Sequence, residues 1–98
     1  MKEITAKELE RKRDAGEKLN IIDVREDEEV EMGIIPGAKH IPLGQIPERL
    51  NELNKNEHYY MVCRSGGRSG SACDFLIQNG YNVTNMVGGM LDWEGEVE

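Results

Sequence analysis

The chain has 98 residues, a length that suits one small domain. Apolar residues make up 38% and charged residues 32%, a mixture typical of a folded globular protein and not of a disordered one. The formal net charge of -7 argues against nucleic acid or an anionic membrane as partner, because phosphate binding is driven by clustered lysines and arginines.

No stretch of the sequence has the character of a membrane span or a secretory leader. Residues 1–5 contain no apolar segment, and no apolar run approaches the roughly 20 residues that cross a bilayer. We therefore expect a cytoplasmic protein that makes no contact with membranes. Because no apolar surface stripe is evident, we expect a monomer.

The first half of the chain opens with a helix signal. Thr5 and Glu8 form a capping-box pattern, in which each side chain bonds the other residue's backbone N–H, and the helix should run to about Ala15. The other elements predicted in this half are a buried strand over 19–24, an acidic segment over 26–32 that could form a short helix, a turn over 33–38 and a very short strand over 39–41.

The second half continues to alternate helices and strands. The pattern predicts a helix over 45–53 with Pro47 in its first turn, a strand over 58–62, a helix over 70–79, a strand over 81–87, a tight turn at 88–89 and a short helix over 90–93. Such alternation favours the α/β class, with a parallel sheet covered by helices on both faces and a single domain over residues 1–98.

Three polar residues near predicted strands have both a structural and a functional interpretation. Asp23 and Arg25 lie at the C-terminal end of the first predicted strand, where parallel sheets build their sites. We favour the structural interpretation, in which they bond to each other and to loop backbone. His40 is expected to be packed or hydrogen-bonded in its strand. We favour this interpretation over a role as a general base.

A loop between a predicted strand and a predicted helix carries the clearest chemical signal. Its glycines allow backbone angles at which successive N–H groups converge, and the helix start and two arginines add positive charge. An ordinary thiol has a pKa near 8.5 and is only about 3% thiolate at neutral pH, so such surroundings would make a cysteine far more nucleophilic. The residues are Cys63, Arg64, Ser65, Gly66, Gly67, Arg68 and Ser69.

The other sulfur-containing residues are expected to pack in the core. Cys73 falls on the apolar stripe of the predicted helix, and free thiols are favoured over a disulfide. The two cysteines and two histidines lack the close paired spacings of zinc sites, so we predict neither a metal nor a cofactor. Four methionines are expected to fill core gaps: Met32, Met61, Met86 and Met90.

Four motifs occur in order and span nearly the whole chain: Ile22-Asp23-Val24-Arg25, the segment 33–42, the loop 63–69, and Gly88-Gly89 followed by Trp93. Together they resemble the motifs of the single-domain rhodanese-like sulfurtransferases. The sequence departs from the family at Ile34, where a histidine is usual, and at Cys73, where a small residue is common.

The resemblance implies a five-stranded parallel sheet flanked by helices, and a Cys63 that alternates between thiolate and persulfide. A small anionic donor such as thiosulfate would supply the sulfur, and cyanide or a protein or low-molecular-weight thiol would accept it. Arg64 and Arg68 would hold the donor. Backbone N–H groups would come mainly from Ser65, Gly66, Gly67, Arg68 and Ser69.

Two other functions remain open at this point. Cysteine phosphatases and arsenate reductases also use a cysteine, a loop of N–H groups and an arginine at a helix start. Their loop is one residue longer than the four residues between Cys63 and Arg68, which leaves more room for a tetrahedral oxyanion. A non-catalytic interaction module is the third possibility, although such rhodanese-like domains have lost the cysteine that this chain keeps.

Overall fold

Five strands form one parallel sheet with the order β1-β5-β4-β2-β3 in the computed structural model, which describes residues 1–98. The strands are β1 (Lys2–Thr5), β2 (Asn20–Asp23), β3 (Lys39–His40), β4 (His58–Val62) and β5 (Asn82–Val87). The predicted α/β class and the five-stranded parallel sheet are confirmed.

Three α-helices and two short 3₁₀ helices lie between the strands, and a third 3₁₀ helix follows the last strand. They are α1 (Ala6–Asp14), α2 (Asp27–Val30) and α3 (Gly67–Gln78), with 3₁₀ helices at Leu43–Gln45, Pro47–Glu52 and Gly89–Asp92. The predicted capping box at the start of α1 is present: the Glu8 N–H donates to Thr5 Oγ1 over 3.1 Å, and the Thr5 N–H donates to Glu8 Oε1 over 3.0 Å. None of these helices has the length and apolar character needed to cross a membrane.

Apolar side chains pack on both faces of the sheet, as the sequence pattern predicts. On one face α3 and the segment around Ile46 cover a cluster made of Ile22, Val24, Ile41, Ile46, Met61, Cys63, Ala72, Cys73, Leu76 and Val83. On the other face α1 covers a second cluster made of Ile4, Ala6, Leu9, Ile21, Ile35, Val62 and Met86. Because the sheet is sandwiched in this way, its functional groups are confined to its ends.

Four details differ from the sequence-based prediction. Residue patterns alone gave no strand over Lys2–Thr5, because only Ile4 is buried there and pairing with β5 stabilises the strand. Pro47–Glu52 is 3₁₀ and not α-helical, with a break at Arg49 (φ -115°). Helix α3 begins at Gly67 and so includes the end of the predicted loop. Met32 is 88% exposed, so its assignment to the core was wrong.

Candidate active site

Cys63 lies directly after β4, at the C-terminal end of a central strand of the sheet, and only 1% of it is exposed. The chain then turns sharply into α3 through Gly66, whose φ of 103° lies in the left-handed region that favours glycine. A Cβ at Gly66 would also lie 3.3 Å from the Gly88 backbone nitrogen. Gly67 is the first residue of α3 and has no positive φ, so only one of the two loop glycines is needed for the turn.

The Cys63 sulfur accepts hydrogen bonds from the loop and from α3. The Gly66 N–H lies 3.0 Å from Sγ, and the Ser69 hydroxyl oxygen lies 3.2 Å from it. Burial is the largest single influence on the Cys63 pKa and raises it. Hydrogen bonds from the Ser69 hydroxyl and from the backbone of Ser69, Gly66 and Ser65 outweigh burial, so the pKa lies below that of an ordinary thiol. Ser69 thus contributes its side chain as well as its backbone.

The turn at Gly88-Gly89 fixes the other side of the loop. The Met90 N–H donates to the Cys63 carbonyl over 2.9 Å, and the Leu91 N–H donates to the Arg64 carbonyl over 3.0 Å. Gly89 makes this approach possible, since it has a φ of 59° and a Cβ there would overlap the Arg64 carbonyl. The C-terminal glycine motif therefore holds the cysteine loop against the end of β5.

The two arginines of the loop have different surroundings. The Arg68 guanidinium is bound by both oxygens of Glu29, over 2.6 Å and 2.7 Å, while Arg64 is exposed and forms no ion pair. The hydrogen bonds from Arg68 are the main reason that the pKa of Glu29 falls to about 2. Sequence reasoning missed Glu29, since it gave the acidic segment 26–32 only as a possible short helix with no role in the site. The available signal was that this acidic segment follows β2 at the same sheet end as Cys63.

Asp23 and Arg25 form a buried ion pair behind this arrangement, with 2.8 Å between Arg25 Nη2 and Asp23 Oδ2. Arg25 also donates to the carbonyls of Glu29 (3.3 Å) and Gly33 (2.7 Å), which ties α2 to the sheet. The structural interpretation of this pair is confirmed. His40 is hydrogen-bonded as expected, with Nε2 at 2.7 Å from the Arg25 carbonyl oxygen.

Asn85, in β5, is a second residue that sequence reasoning missed. Its Nδ2 donates to the Gly66 carbonyl over 3.1 Å, and its Oδ1 lies 2.5 Å from the Ser69 hydroxyl oxygen. A polar side chain that shares one face of an interior strand with Val83 and Val87 was the signal that could have found it. Asn85 therefore contacts two of the residues that surround the sulfur.

Cys73 lies in the interior of α3 and is completely buried. Burial, with the nearby Asp74 charge as a smaller influence, raises the pKa of its thiol to about 12. Both cysteines are free, and the prediction that Cys73 serves packing is confirmed. No group of three or more histidine, cysteine or acidic side chains is arranged to hold a metal ion.

A shallow hollow of about 210 Å³ lies beside the loop, on the side of Arg64. Two exposed apolar side chains, Met32 and Leu91, contribute to its rim. Its lining residues are Arg25, Glu29, Met32, Arg64, Met90 and Leu91. The two largest hollows, of about 390 and 400 Å³, do not include Arg64, and neither cysteine lines any of the three.

Comparisons with known proteins give one consistent result. The chain is 48% identical over 98 residues to YtwF of Bacillus subtilis, which is named provisionally as a sulfurtransferase; the match covers all of this chain and 95% of that protein. It is 37% identical to a protein of Allochromatium vinosum named sulfurtransferase, over 93% of this chain and 86% of that one. It is also 47% identical to YrkF of Bacillus subtilis, named provisionally as a sulfur carrier protein, of which it spans 52%.

Solved structures agree with these relatives. The crystal structure of a rhodanese-like domain protein from Staphylococcus aureus superposes with a TM-score of 0.95 at 47% identity, covering 100% of this chain and 97% of that one. A Rhodopseudomonas palustris protein, described as a possible tyrosine phosphatase, has a TM-score of 0.88 but only 21% identity, so it shares the fold alone. The sequence profile of the rhodanese-like domain matches residues 5–96, and the chain therefore belongs to the rhodanese-like domain family.

Proposed function

We propose that this protein is a sulfurtransferase that carries sulfur on Cys63. In the first half-reaction the Cys63 thiolate attacks the outer sulfur of thiosulfate. A new S–S bond forms at Cys63, the S–S bond of thiosulfate breaks, and sulfite leaves with the bonding electron pair. The product is a persulfide anion, so the negative charge stays within the same loop.

In the second half-reaction a nucleophile removes the outer sulfur. Cyanide would leave as thiocyanate, and a thiolate would leave as a persulfide; in both cases the electron pair of the broken S–S bond returns to Cys63 as thiolate. No external oxidant or reductant is needed. The proposed physiological acceptor is a protein or low-molecular-weight thiol, because a thiolate is an anion that the exposed Arg64 can attract.

One observation carries this proposal: a buried cysteine sulfur that is surrounded by hydrogen-bond donors. The Gly66 N–H and the Ser69 hydroxyl point at the sulfur, and the pKa of Cys63 is lowered although the residue is buried. Donors arranged in this way stabilise a thiolate before the reaction and a persulfide anion after it. The names of the relatives YtwF and the Allochromatium protein support the same reaction class.

The proposal is tested by loading and discharging the protein. Incubation of the purified chain with thiosulfate should add the mass of one sulfur atom, located at Cys63 by peptide mass spectrometry. Cyanide should then restore the original mass and release an equal amount of thiocyanate. A chain that gains no sulfur from thiosulfate, from glutathione persulfide or from inorganic polysulfide would contradict the proposal and favour an interaction module.

The same samples distinguish a phosphatase. Four residues separate Cys63 from Arg68, and Glu29 occupies two donor positions of the Arg68 guanidinium that a phosphate oxyanion would need. We therefore expect no hydrolysis of an aryl phosphate, and no reduction of arsenate, above the rate of a Cys63→Ser variant. Turnover of either substrate without sulfur loading would reverse the assignment.

A further inference from the structure

Asn85 lies directly behind the loop that holds Cys63. It is only 5% exposed, and its Nδ2 would lie 3.5 Å from a Cβ placed on Gly70 of α3. A buried amide needs partners at both ends, because an unpaired polar group away from water is costly. Here both partners belong to the active-site segment: the Gly66 carbonyl at 3.1 Å from Nδ2, and the Ser69 hydroxyl at 2.5 Å from Oδ1.

These contacts fix the direction of each hydrogen bond. The Gly66 carbonyl can only accept, so the NH₂ group of Asn85 must face it, and Oδ1 must face Ser69. Since Oδ1 can only accept, it bonds to the Ser69 hydroxyl only by taking that group's one proton. The same hydroxyl oxygen is 3.2 Å from the Cys63 sulfur. Two acceptors, Asn85 Oδ1 and Cys63 Sγ, therefore compete for a single proton.

We propose that Asn85 is a positioning residue that regulates the ionisation of Cys63 by competing with the sulfur for the Ser69 hydroxyl proton. In the thiol state the Cys63 S–H donates to Ser69 Oγ, and Ser69 donates to Asn85. On ionisation the Cys63 proton leaves to solvent, and the Ser69 hydroxyl rotates to donate to the thiolate. Asn85 Oδ1 is then a buried acceptor without a donor, and this opposes ionisation.

The competition for the Ser69 proton would keep Cys63 nucleophilic during the two half-reactions of sulfur transfer. A sulfur that was stabilised too strongly as an anion would be a weaker nucleophile, because nucleophilicity falls as the pKa of a thiol falls. Asn85 limits the stabilisation that Ser69 gives, while its NH₂ group holds the Gly66 carbonyl and keeps the loop in place. The inference extends the proposed function, but its readout is thiol chemistry and does not depend on sulfur transfer.

Other charged groups surround the site, and their influence on the Cys63 pKa must be distinguished from that of Asn85. They are Arg64 in the loop, Arg68 on α3, Glu26 and Glu29 on α2, the Asp23–Arg25 pair after β2, and Asp92 beside the Gly88 turn. The Arg68–Glu29 pair keeps its charges above about pH 4, because the pKa of Glu29 is about 2. His58 bonds Thr84, the preceding residue of β5, whose side chain points to the opposite face.

The experiment measures the rate at which iodoacetamide alkylates Cys63 in the full chain between about pH 5 and 9, with the modified peptide quantified by mass spectrometry. The midpoint is the pH at which the alkylation rate reaches half of its maximum. Asn85→Ala should shift this midpoint to lower pH and make alkylation at pH 6 about 3- to 10-fold faster, the range expected for one redirected hydrogen bond. Ser69→Ala should shift the midpoint to higher pH. In the Ser69→Ala background, Asn85→Ala should change the rate by less than about twofold, because no proton is left to compete for.

Thr84→Ala is the matched control. It removes a half-buried hydrogen bond of the same strand, to His58 over 2.7 Å, and should leave the Cys63 profile unchanged. If Asn85→Ala does not fold, Asn85→Val has a higher strand propensity and a volume close to that of asparagine, and the same shift is expected. An unchanged or higher midpoint in the folded Asn85 variant would overturn the proposal. So would a shift of equal size in the presence and absence of the Ser69 hydroxyl.

Discussion

The two cysteines of this chain are ten residues apart and equally buried, yet their surroundings give them opposite chemistry. Cys63 is 1% exposed and Cys73 is not exposed at all, and both are free thiols. Burial raises the pKa of each. At Cys73 no hydrogen-bond donor offsets burial and the pKa reaches about 12, whereas at Cys63 the surrounding donors bring the pKa below that of an ordinary thiol.

The difference comes from position in the fold. Cys73 is inside α3, where the backbone N–H groups are already used in helical hydrogen bonds and the neighbours are apolar. Cys63 is at the end of a strand and just before a helix start, where the Gly66 N–H and the Ser69 hydroxyl are directed at its sulfur. Burial therefore does not determine whether a cysteine is reactive; the available donors do.

Replacing each cysteine in turn gives the largest expected contrast. Cys63→Ser should lower thiocyanate formation from thiosulfate and cyanide by at least about a thousandfold, since a nucleophile has no substitute in the site. Cys73→Ser should leave most of the activity in the protein that folds. The measurement is the initial rate per folded molecule, with folding checked by circular dichroism. Full transfer by Cys63→Ser would show that sulfur is carried elsewhere.

Alkylation should distinguish the two thiols in the wild-type chain. At pH 7 we expect iodoacetamide to modify Cys63 at least about a hundredfold faster than Cys73, because only the thiolate reacts and Cys73 stays protonated. Lowering the pH through the depressed pKa of Cys63 should slow its reaction, because the thiol form then dominates. In about 8 M urea, which unfolds the chain, the alkylation rates of the two cysteines should converge to within about threefold. If Cys63 still reacted much faster there, local sequence and not the fold would activate it.

The arginines beside Cys63 have no counterpart beside Cys73, and their effect should be intermediate. Arg64 is exposed and unpaired, so Arg64→Ala should raise the KM for thiosulfate about tenfold, the value of one charge-assisted contact. An alkyl persulfide without charged substituents gives up its outer sulfur to Cys63 with loss of the alkyl thiolate, and it carries at most one negative charge where thiosulfate carries two. Its KM should therefore change clearly less than that of thiosulfate, and Arg64→Lys should restore most of the thiosulfate affinity. Equal losses with both donors would remove the anion-binding role of Arg64.

The role of Arg68 has to be tested with a double variant, because Glu29 binds its guanidinium. Arg68→Ala alone leaves the Glu29 carboxylate unneutralised beside an anionic donor, so part of its effect would be repulsion by Glu29. We expect Arg68→Ala with Glu29→Gln to lose less thiosulfate affinity than Arg68→Ala alone. An identical loss in both would mean that Arg68 contacts the donor directly and Glu29 is irrelevant to binding.

The loop and the fold class could be predicted from sequence because local patterns specify them. A strand-loop-helix with a glycine at a turn, and short buried strands alternating with helices, need no knowledge of distant contacts. The edge strand Lys2–Thr5 was not predicted from its own residues, since it has one buried side chain and depends on pairing with β5. Pro47–Glu52 had a helical pattern of leucines but is too short and interrupted to form α-helix.

The site residues that sequence reasoning missed are those that meet Cys63 only through the fold. Glu29 is 39 residues from Arg68, and Asn85 is 16 residues from Ser69. In the sequence, Glu29 is one of several acidic residues and Asn85 is one polar residue in a strand. The parallel sheet brings the ends of β2, β4 and β5 together, and that arrangement gives these side chains their partners. The predicted roles in donor binding remain predictions for all six loop residues: Arg64, Ser65, Gly66, Gly67, Arg68 and Ser69.

The smallest effect is expected for Cys73→Ala, which tests whether this thiol does anything besides fill space. The change removes one buried sulfur from α3 and should lower the free energy of unfolding by about 1 kcal/mol, or roughly 4–8 °C in Tm for a domain of this size. Turnover with thiosulfate and cyanide should stay within about twofold, because Cys73 is protonated and packed against the sheet. A loss of tenfold or more in a fully folded variant would instead require Cys73 to exchange sulfur with Cys63, which its burial in the apolar cluster opposes.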